Sequence, residues 1–149
     1  MRKLLSFLFC FFLLNLHAQK PEKLNAAEIF QEIKKLNFLG SVLYIGAHPD
    51  DENTRLISYF SNEKNARTAY LSLTRGDGGQ NLIGPELREQ LGLIRTQELL
   101  AARRIDGGEQ FFTRANDFGY SKTPEETLEI WNKEKVLSDV VWIIRNFKP

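Results

Sequence analysis

The sequence predicts an α/β layered fold with a mainly parallel sheet, and three observations carry that expectation. Residues 41–47 (SVLYIGA) and 67–74 (RTAYLSLT) are short apolar runs rich in β-formers, as strands buried on both faces require. Segments with apolar residues at helical spacing lie between and beyond them. The order strand, helix, strand, helix, strand, helix runs through the chain without an internal repeat or low-complexity tract, and that alternation marks helices packed on a parallel sheet.

The elements follow in order. Residues 19–24 form a short polar linker containing Pro21. Asn25 and Glu28 make a capping box, and Ile29, Ile33 and Leu36 follow at helical spacing, so a helix is expected over 26–37, ending before Gly40. The strand over 41–47 feeds a loop, His48-Pro49-Asp50-Asp51-Glu52. Leu56, Ile57, Tyr59 and Phe60 predict a short helix over 53–62, and the second strand follows at 67–74. Residues 75–84 (RGDGGQNLIG) hold four glycines and read as a loop that needs left-handed backbone or close approach. The stretch 86–105 predicts a long helix with Leu87, Leu91, Ile94 and Ala101 on one side, stopped at Asp106-Gly107-Gly108. A third short strand is expected at 109–113 and a loop at 114–122. Thr123 as cap, Pro124 at the first helical position and Glu126 at the third then open a final helix carrying Val136, Val140, Ile143, Ile144 and Phe147.

At 149 residues, 42% hydrophobic and 26% charged, the chain has the size of one globular domain. A formal net charge of +1 carries no basic excess and argues against nucleic acid as a partner. A single cysteine, Cys10, excludes a disulfide framework within the chain. The first 18 residues stand apart: Arg2 and Lys3 precede an apolar run from Leu4 to Leu14 broken only by Ser6, and Ala18 supplies a small residue for cleavage. They read as a cleavable signal peptide, so the protein is expected to be exported, to the periplasm or the extracellular space. The run is shorter than the ~20 apolar residues of a retained anchor, and Cys10 lacks the preceding small residue of a lipidation site. Removing 1–18 takes two of the 20 basic residues and none of the 19 acidic ones, leaving −1, and it also removes Cys10 and His17. His48 is then the single histidine. No second apolar stretch has spanning length, so stable membrane insertion is not expected after cleavage.

In an open α/β sheet, ligands bind at the carboxyl ends of the strands, which is where residues 48–52 fall. An imidazole and a carboxylate are good zinc ligands, and Pro49 restricts the turn that presents them. His48 and Asp51 are able to share one ion while Asp50, between them, points elsewhere. The bland reading is a polar turn with Asp50 or Asp51 on backbone amides, capping the next helix.

Ala47-His48-Pro49-Asp50-Asp51-Glu52 resembles the signature of the PIG-L/LmbE-like zinc-dependent N-acetylglucosaminyl deacetylases. The hydrophobic strand before it, the Gly-rich loop after the second strand, and Arg95-Thr96-Gln97-Glu98, which looks like the family's Arg-x-x-Glu helix, agree in order over residues 40–149. The resemblance implies a Rossmann-like fold, zinc as cofactor, and a small-molecule amino-sugar substrate from which activated water removes an acetyl group. By position, His48 and Asp51 would be metal ligands and Asp50 the general base for the attacking water. Arg95 would bind substrate, and Glu52 would orient the loop or a ligand from behind. The family's third ligand is a later histidine, expected beyond residue 149. Residues 25–149 are therefore expected to be either the N-terminal part of the family domain, incomplete at the C-terminus, or a degenerate relative, the first being favoured, with weak metal binding and little or no activity on their own. The alternative is a non-catalytic carbohydrate-binding domain of a secreted protein.

Several motifs have plainer readings. Arg95 and Glu98 also fit an i,i+3 surface pair. Arg75-Gly76-Asp77 matches an adhesion tripeptide, but three residues recur by chance too often to carry a function, and 75–84 lacks the Lys-Ser/Thr of a phosphate loop. Phe111, Phe112, Phe118 and Tyr120 are read as packing rather than as a sugar-stacking set.

Overall fold

The structure is a computed structural model that describes residues 23–149; the expected signal peptide over 1–18 and most of the linker lie outside the described residues. The described chain divides into two units between Ile33 and Lys34. The division falls inside helix α1 (Ala26–Lys35), which opens on a reciprocal capping box. Asn25 Oδ1 accepts from the Glu28 amide at 3.0 Å, and the Asn25 amide donates to the Glu28 carboxylate at 2.6 Å. The helix closes two residues short of the expected 37, because the Asn37 and Phe38 amides bond back only three residues, to Lys34 and Lys35.

In the second unit, β1 (Ser41–Gly46), β2 (Arg67–Ser72) and β3 (Glu109–Phe112) form one parallel sheet in the order β1-β2-β3. Ala69, Tyr70 and Leu71 of the central strand are wholly buried, which is why its sequence shows no polar alternation. The register sets Gly46 opposite Ser72 and Ser72 opposite Phe112. The three strands thus end level, and the loops that start at Ala47, Leu73 and Thr113 leave from one edge. Thr74 N donates to Ala47 O at 2.9 Å and Thr113 Oγ1 to Leu73 O at 2.5 Å, tying the loop starts together.

Alternation along the strands sorts the two faces. On one, Tyr70 packs with Ile57 of α2 (Thr54–Ser58) and Leu99 of α3 (Glu89–Asp106), bordered by Tyr44 and Phe112. From the other, Phe111 meets Phe147 edge to face at 5.8 Å; Phe147 ends α5 (Lys133–Phe147), which follows α4 (Pro124–Trp131). Helices on both faces of a parallel sheet make this the α/β layered fold that the alternation predicted. Among the described residues, no helix is long and apolar enough to cross a membrane.

Other boundaries also depart from the sequence reading. The strands stop at 46, 72 and 112, because the next residues have already turned into the loop hydrogen bonds just described. The helix expected over 53–62 is α-helical only to Ser58; Tyr59–Glu63 widens to π geometry, with the Lys64 amide on Tyr59 O at 3.0 Å. α3 begins at Glu89 instead of Glu86, so Leu87 precedes it and is exposed, while Leu91 and Leu99 are buried. The final helix is two helices. Asn132 sits in the left-handed region (φ 59°), a conformation Asn tolerates, where its amide closes α4 on Glu129 O and its side chain caps α5 at Lys135 N.

Candidate active site

The loop 47–52 leaves β1 at the carboxyl edge of the sheet. Gly46 makes this possible, since a Cβ there would stand 2.8 Å from Asp51 Cβ and 2.7 Å from the Tyr70 hydroxyl. The chain turns at once. Asp51 N donates to His48 O at 3.3 Å, closing a four-residue turn with Pro49 at the second position, where its fixed φ suits. Asp51 Oδ2 accepts from the amides of Ala47 and His48 at 3.0 and 2.8 Å. The bland turn is therefore real, yet it leaves Oδ1 of Asp51 outside those bonds. Helix α2 is capped by Asn53, whose Oδ1 accepts from Leu56 N at 3.0 Å, and not by Asp50 or Asp51.

The loop carbonyls are held from the sheet. The Tyr70 hydroxyl donates to His48 O, Thr74 Oγ1 to Ala47 O at 3.0 Å, and the Tyr44 hydroxyl to Asp51 O at 3.3 Å. Burial pushes the pKa of the Tyr70 phenol up, so it stays a donor.

The imidazole of His48 stands between two carboxylates. Its Nδ1 is 3.5 Å from Asp51 Oδ2, and its Nε2 is 3.6 Å from Asp117 Oδ1. Asp117 is a site residue that sequence reasoning missed inside the loop 114–122; its side chain is 7% exposed. A local signal existed in Asp117-Phe118-Gly119, where Asp117 Oδ1 accepts from Gly119 N at 2.8 Å, but nothing in the sequence pairs this turn with His48. The Gly-rich loop places it. Asp77 Oδ1 accepts from Asp117 N at 3.1 Å, and a Cβ on Gly78 would lie 2.5 Å from Asp117 O and from Gly119 N. The same contact disposes of the adhesion tripeptide: Asp77 is used on Asp117, and Arg75 on the Thr96 hydroxyl at 3.0 Å and the Phe112 ring at 4.1 Å.

Asp50 points outward, 74% exposed, with Oδ2 3.5 Å from Arg95 Nη2. Arg95 also binds Glu98 at 2.8 Å, so the i,i+3 pair exists and the guanidinium reaches Asp50 as well. His48, Asp50, Arg95, Glu98 and Asp117 line one cleft of about 520 Å³, which Leu82 and Ile83 also line while remaining almost wholly exposed. Glu52 turns the other way. Its side chain is 6% exposed, Oε1 lies 3.4 Å from Arg103 Nη2, and burial pushes its carboxyl pKa up against the opposing pull of Arg103. Phe118 packs edge to face on Trp131 at 6.3 Å, as expected of a packing residue; Tyr120 instead is exposed.

The donors fit zinc in kind, with an imidazole nitrogen and a carboxylate oxygen side by side. In number they are two: among the described residues, no group of three or more His, Cys, Asp or Glu is placed to hold a metal.

Fold and cleft together define an α/β protein with one histidine and three carboxylates gathered in a cleft at the carboxyl edge of a parallel sheet. The chain belongs to the PIG-L family, GlcNAc-PI de-N-acetylase, whose family model matches residues 43–149. Among solved structures it is similar in fold to N,N'-diacetylchitobiose deacetylase from Pyrococcus horikoshii, complexed with its inhibitor MPG, with a TM-score of 0.54 and 20% identity. That match covers 87% of this chain and 49% of the other, so the chain spans about half the length of that relative. No curated protein matches.

Proposed function

We propose that the protein is an exported, zinc-dependent hydrolase that removes the acetyl group from an N-acetylglucosamine-type sugar or conjugate. Family membership supports the de-N-acetylase reaction, and the observation that carries the reading in this chain is the single cleft joining His48, Asp50, Arg95 and Asp117. His48 and Asp51 would hold the ion, with a further ligand from outside this pair. Zinc there supplies a Lewis acid that polarises the acetamide carbonyl and makes water a better nucleophile. Asp50, open to the cleft, accepts the water's proton as its oxygen attacks the carbonyl carbon. The proton then goes to the amide nitrogen as the C–N bond breaks, leaving acetate and the free amino sugar. Arg95 keeps Asp50 in place at 3.5 Å and offers its remaining donors to sugar hydroxyls. Glu52, buried behind the loop, takes no part in the cleft.

The test is acetate release from N-acetylglucosamine and N,N'-diacetylchitobiose by the purified full-length protein, with zinc titrated by calorimetry. Asp50→Asn is expected to lower kcat by about 100- to 10,000-fold while zinc still binds. A wild-type rate in that variant, or no zinc taken up, overturns the reading. Sugar binding that survives chelation, with no acetate released, would establish the non-catalytic carbohydrate-binding domain instead.

A further inference from the structure

We propose that Arg103, near the C-terminal end of α3, is a positioning residue for the loop 48–52, setting its two flanks from beneath. The inference rests on the metal-site reading above for its consequence, but its geometry stands without it.

Arg103 is 4% exposed, and its guanidinium has a fixed plane. Nε lies 3.0 and 3.2 Å from the two Asp106 oxygens, Nη2 lies 2.7 Å from Asp106 Oδ2, and Nη1 lies 3.2 Å from Gln110 Oε1. Asp106 is itself fixed, because its Oδ1 also accepts from Gly108 N at 3.0 Å. From this frame Arg103 reaches the loop by two routes. Nη2 meets Glu52 Oε1 at 3.4 Å, directly after the candidate ligand Asp51. The guanidinium also stands 5.4 Å from the Tyr70 ring centroid, and the Tyr70 hydroxyl donates to the carbonyl of the candidate ligand His48. Glu52 Oε2 is buried with no hydrogen-bond partner among the described residues, so the Arg103 contact is what holds that side chain inward.

A surface arginine would have no reason to engage three separate acceptors in a buried plane. Lysine, with a compact ammonium in place of the planar fork, cannot meet Asp106, Gln110 and Glu52 from one site. A merely structural role would show as lost stability alone. A positioning role predicts that the loop loosens more than the fold does.

Arg103→Lys in the full-length protein provides the test, with Phe147→Leu as a buried core variant on the opposite face of the sheet, where Phe147 packs on Phe111 and not on Tyr70. Hydrogen exchange should quicken at least fivefold more at the His48 and Asp51 amides than at Ala69 in Arg103→Lys, and no more at those amides than at Ala69 in Phe147→Leu. Zinc affinity, by calorimetry, should fall about 10- to 100-fold in Arg103→Lys and stay within threefold in Phe147→Leu, with kcat lowered and KM within twofold in Arg103→Lys. If Arg103→Lys does not fold, Glu52→Gln, which keeps the volume and removes the charge, should show the same exchange and zinc changes. Uniform exchange in Arg103→Lys, or equal zinc loss in Phe147→Leu, overturns the proposal. Should the unaltered protein bind no zinc, the functional reading fails, and the exchange measurement alone decides whether Arg103 positions the loop.

Discussion

At the scale of single residues, the site depends on side chains that are absent as much as on those present. Gly46 ends β1 where two fixed neighbours converge, Tyr70, wholly buried on the central strand, and Asp51 from the turn it closes. Neither is the free end of a flexible chain: the Tyr70 ring is core, and the Asp51 carboxylate is bonded to two amides. Gly46→Ala is therefore expected to destabilise the protein by about 1–3 kcal/mol, the usual cost of overfilling a packed site. The measurement is the urea midpoint. An unchanged midpoint would show that the strand end has room for a methyl group, and that the turn is not pinned as described.

At the scale of elements, the exit of β3 is tied to α5 by one charge pair. Arg114 gives Nε and Nη2 to Asp139 at 2.8 and 2.7 Å, and the Arg114 amide adds a third bond at 3.0 Å. Those hydrogen bonds from Arg114 hold the Asp139 carboxyl below its ordinary value of 3.8. A carboxyl whose folded pKa is depressed adds stability above its unfolded pKa, and that contribution disappears as pH falls through the folded one. The melting temperature of Asp139→Asn should accordingly lie below that of the unaltered protein at pH 7. The gap should close as the pH is taken below 3.8. A gap independent of pH would mean that the pair acts through shape and not charge. Legibility followed contact range. The capping residues Asn25, Thr123 and Glu126 act within four residues, and their patterns marked the starts of α1 and α4. The β1 and β2 runs were readable because burial on both faces leaves a continuous apolar stretch. The break at Asn132 was not, since Asn fits a helix and a left-handed cap alike until tertiary packing chooses. Within the site, the turn residues His48, Asp50 and Asp51 stand next to one another in the chain. Asp117 and Arg103 act on that turn from far along it, and no pattern in one sequence joins them.

At the scale of the whole second unit, the sheet order sets where opening begins. A strand with neighbours on both sides has all its amides in the ladder, whereas an edge strand has alternate ones. β2 has both neighbours, and β1 and β3 are the edges of the described sheet. β2 also supplies Tyr70 to the cluster with Ile57 and Leu99, while Ile45 on β1 is half-exposed. The amides of Ala69, Tyr70 and Leu71 should thus exchange only when the unit unfolds globally, and those of Val42–Ile45 through smaller openings, at least ~10 times faster. The site inherits this gradient: the His48 turn grows from the looser edge strand, and its anchors, Tyr70 and Thr74, belong to the central strand and the residues just after it. Ile57→Ala empties core volume against Tyr70 and should cost about 2–5 kcal/mol. If exchange at β2 is global, its amides must quicken by the factor equivalent to that loss, while the edge amides change less. Equal rates in β1 and β2, or β2 rates unmoved by Ile57→Ala, would place the last-opening part of the unit elsewhere than the central strand.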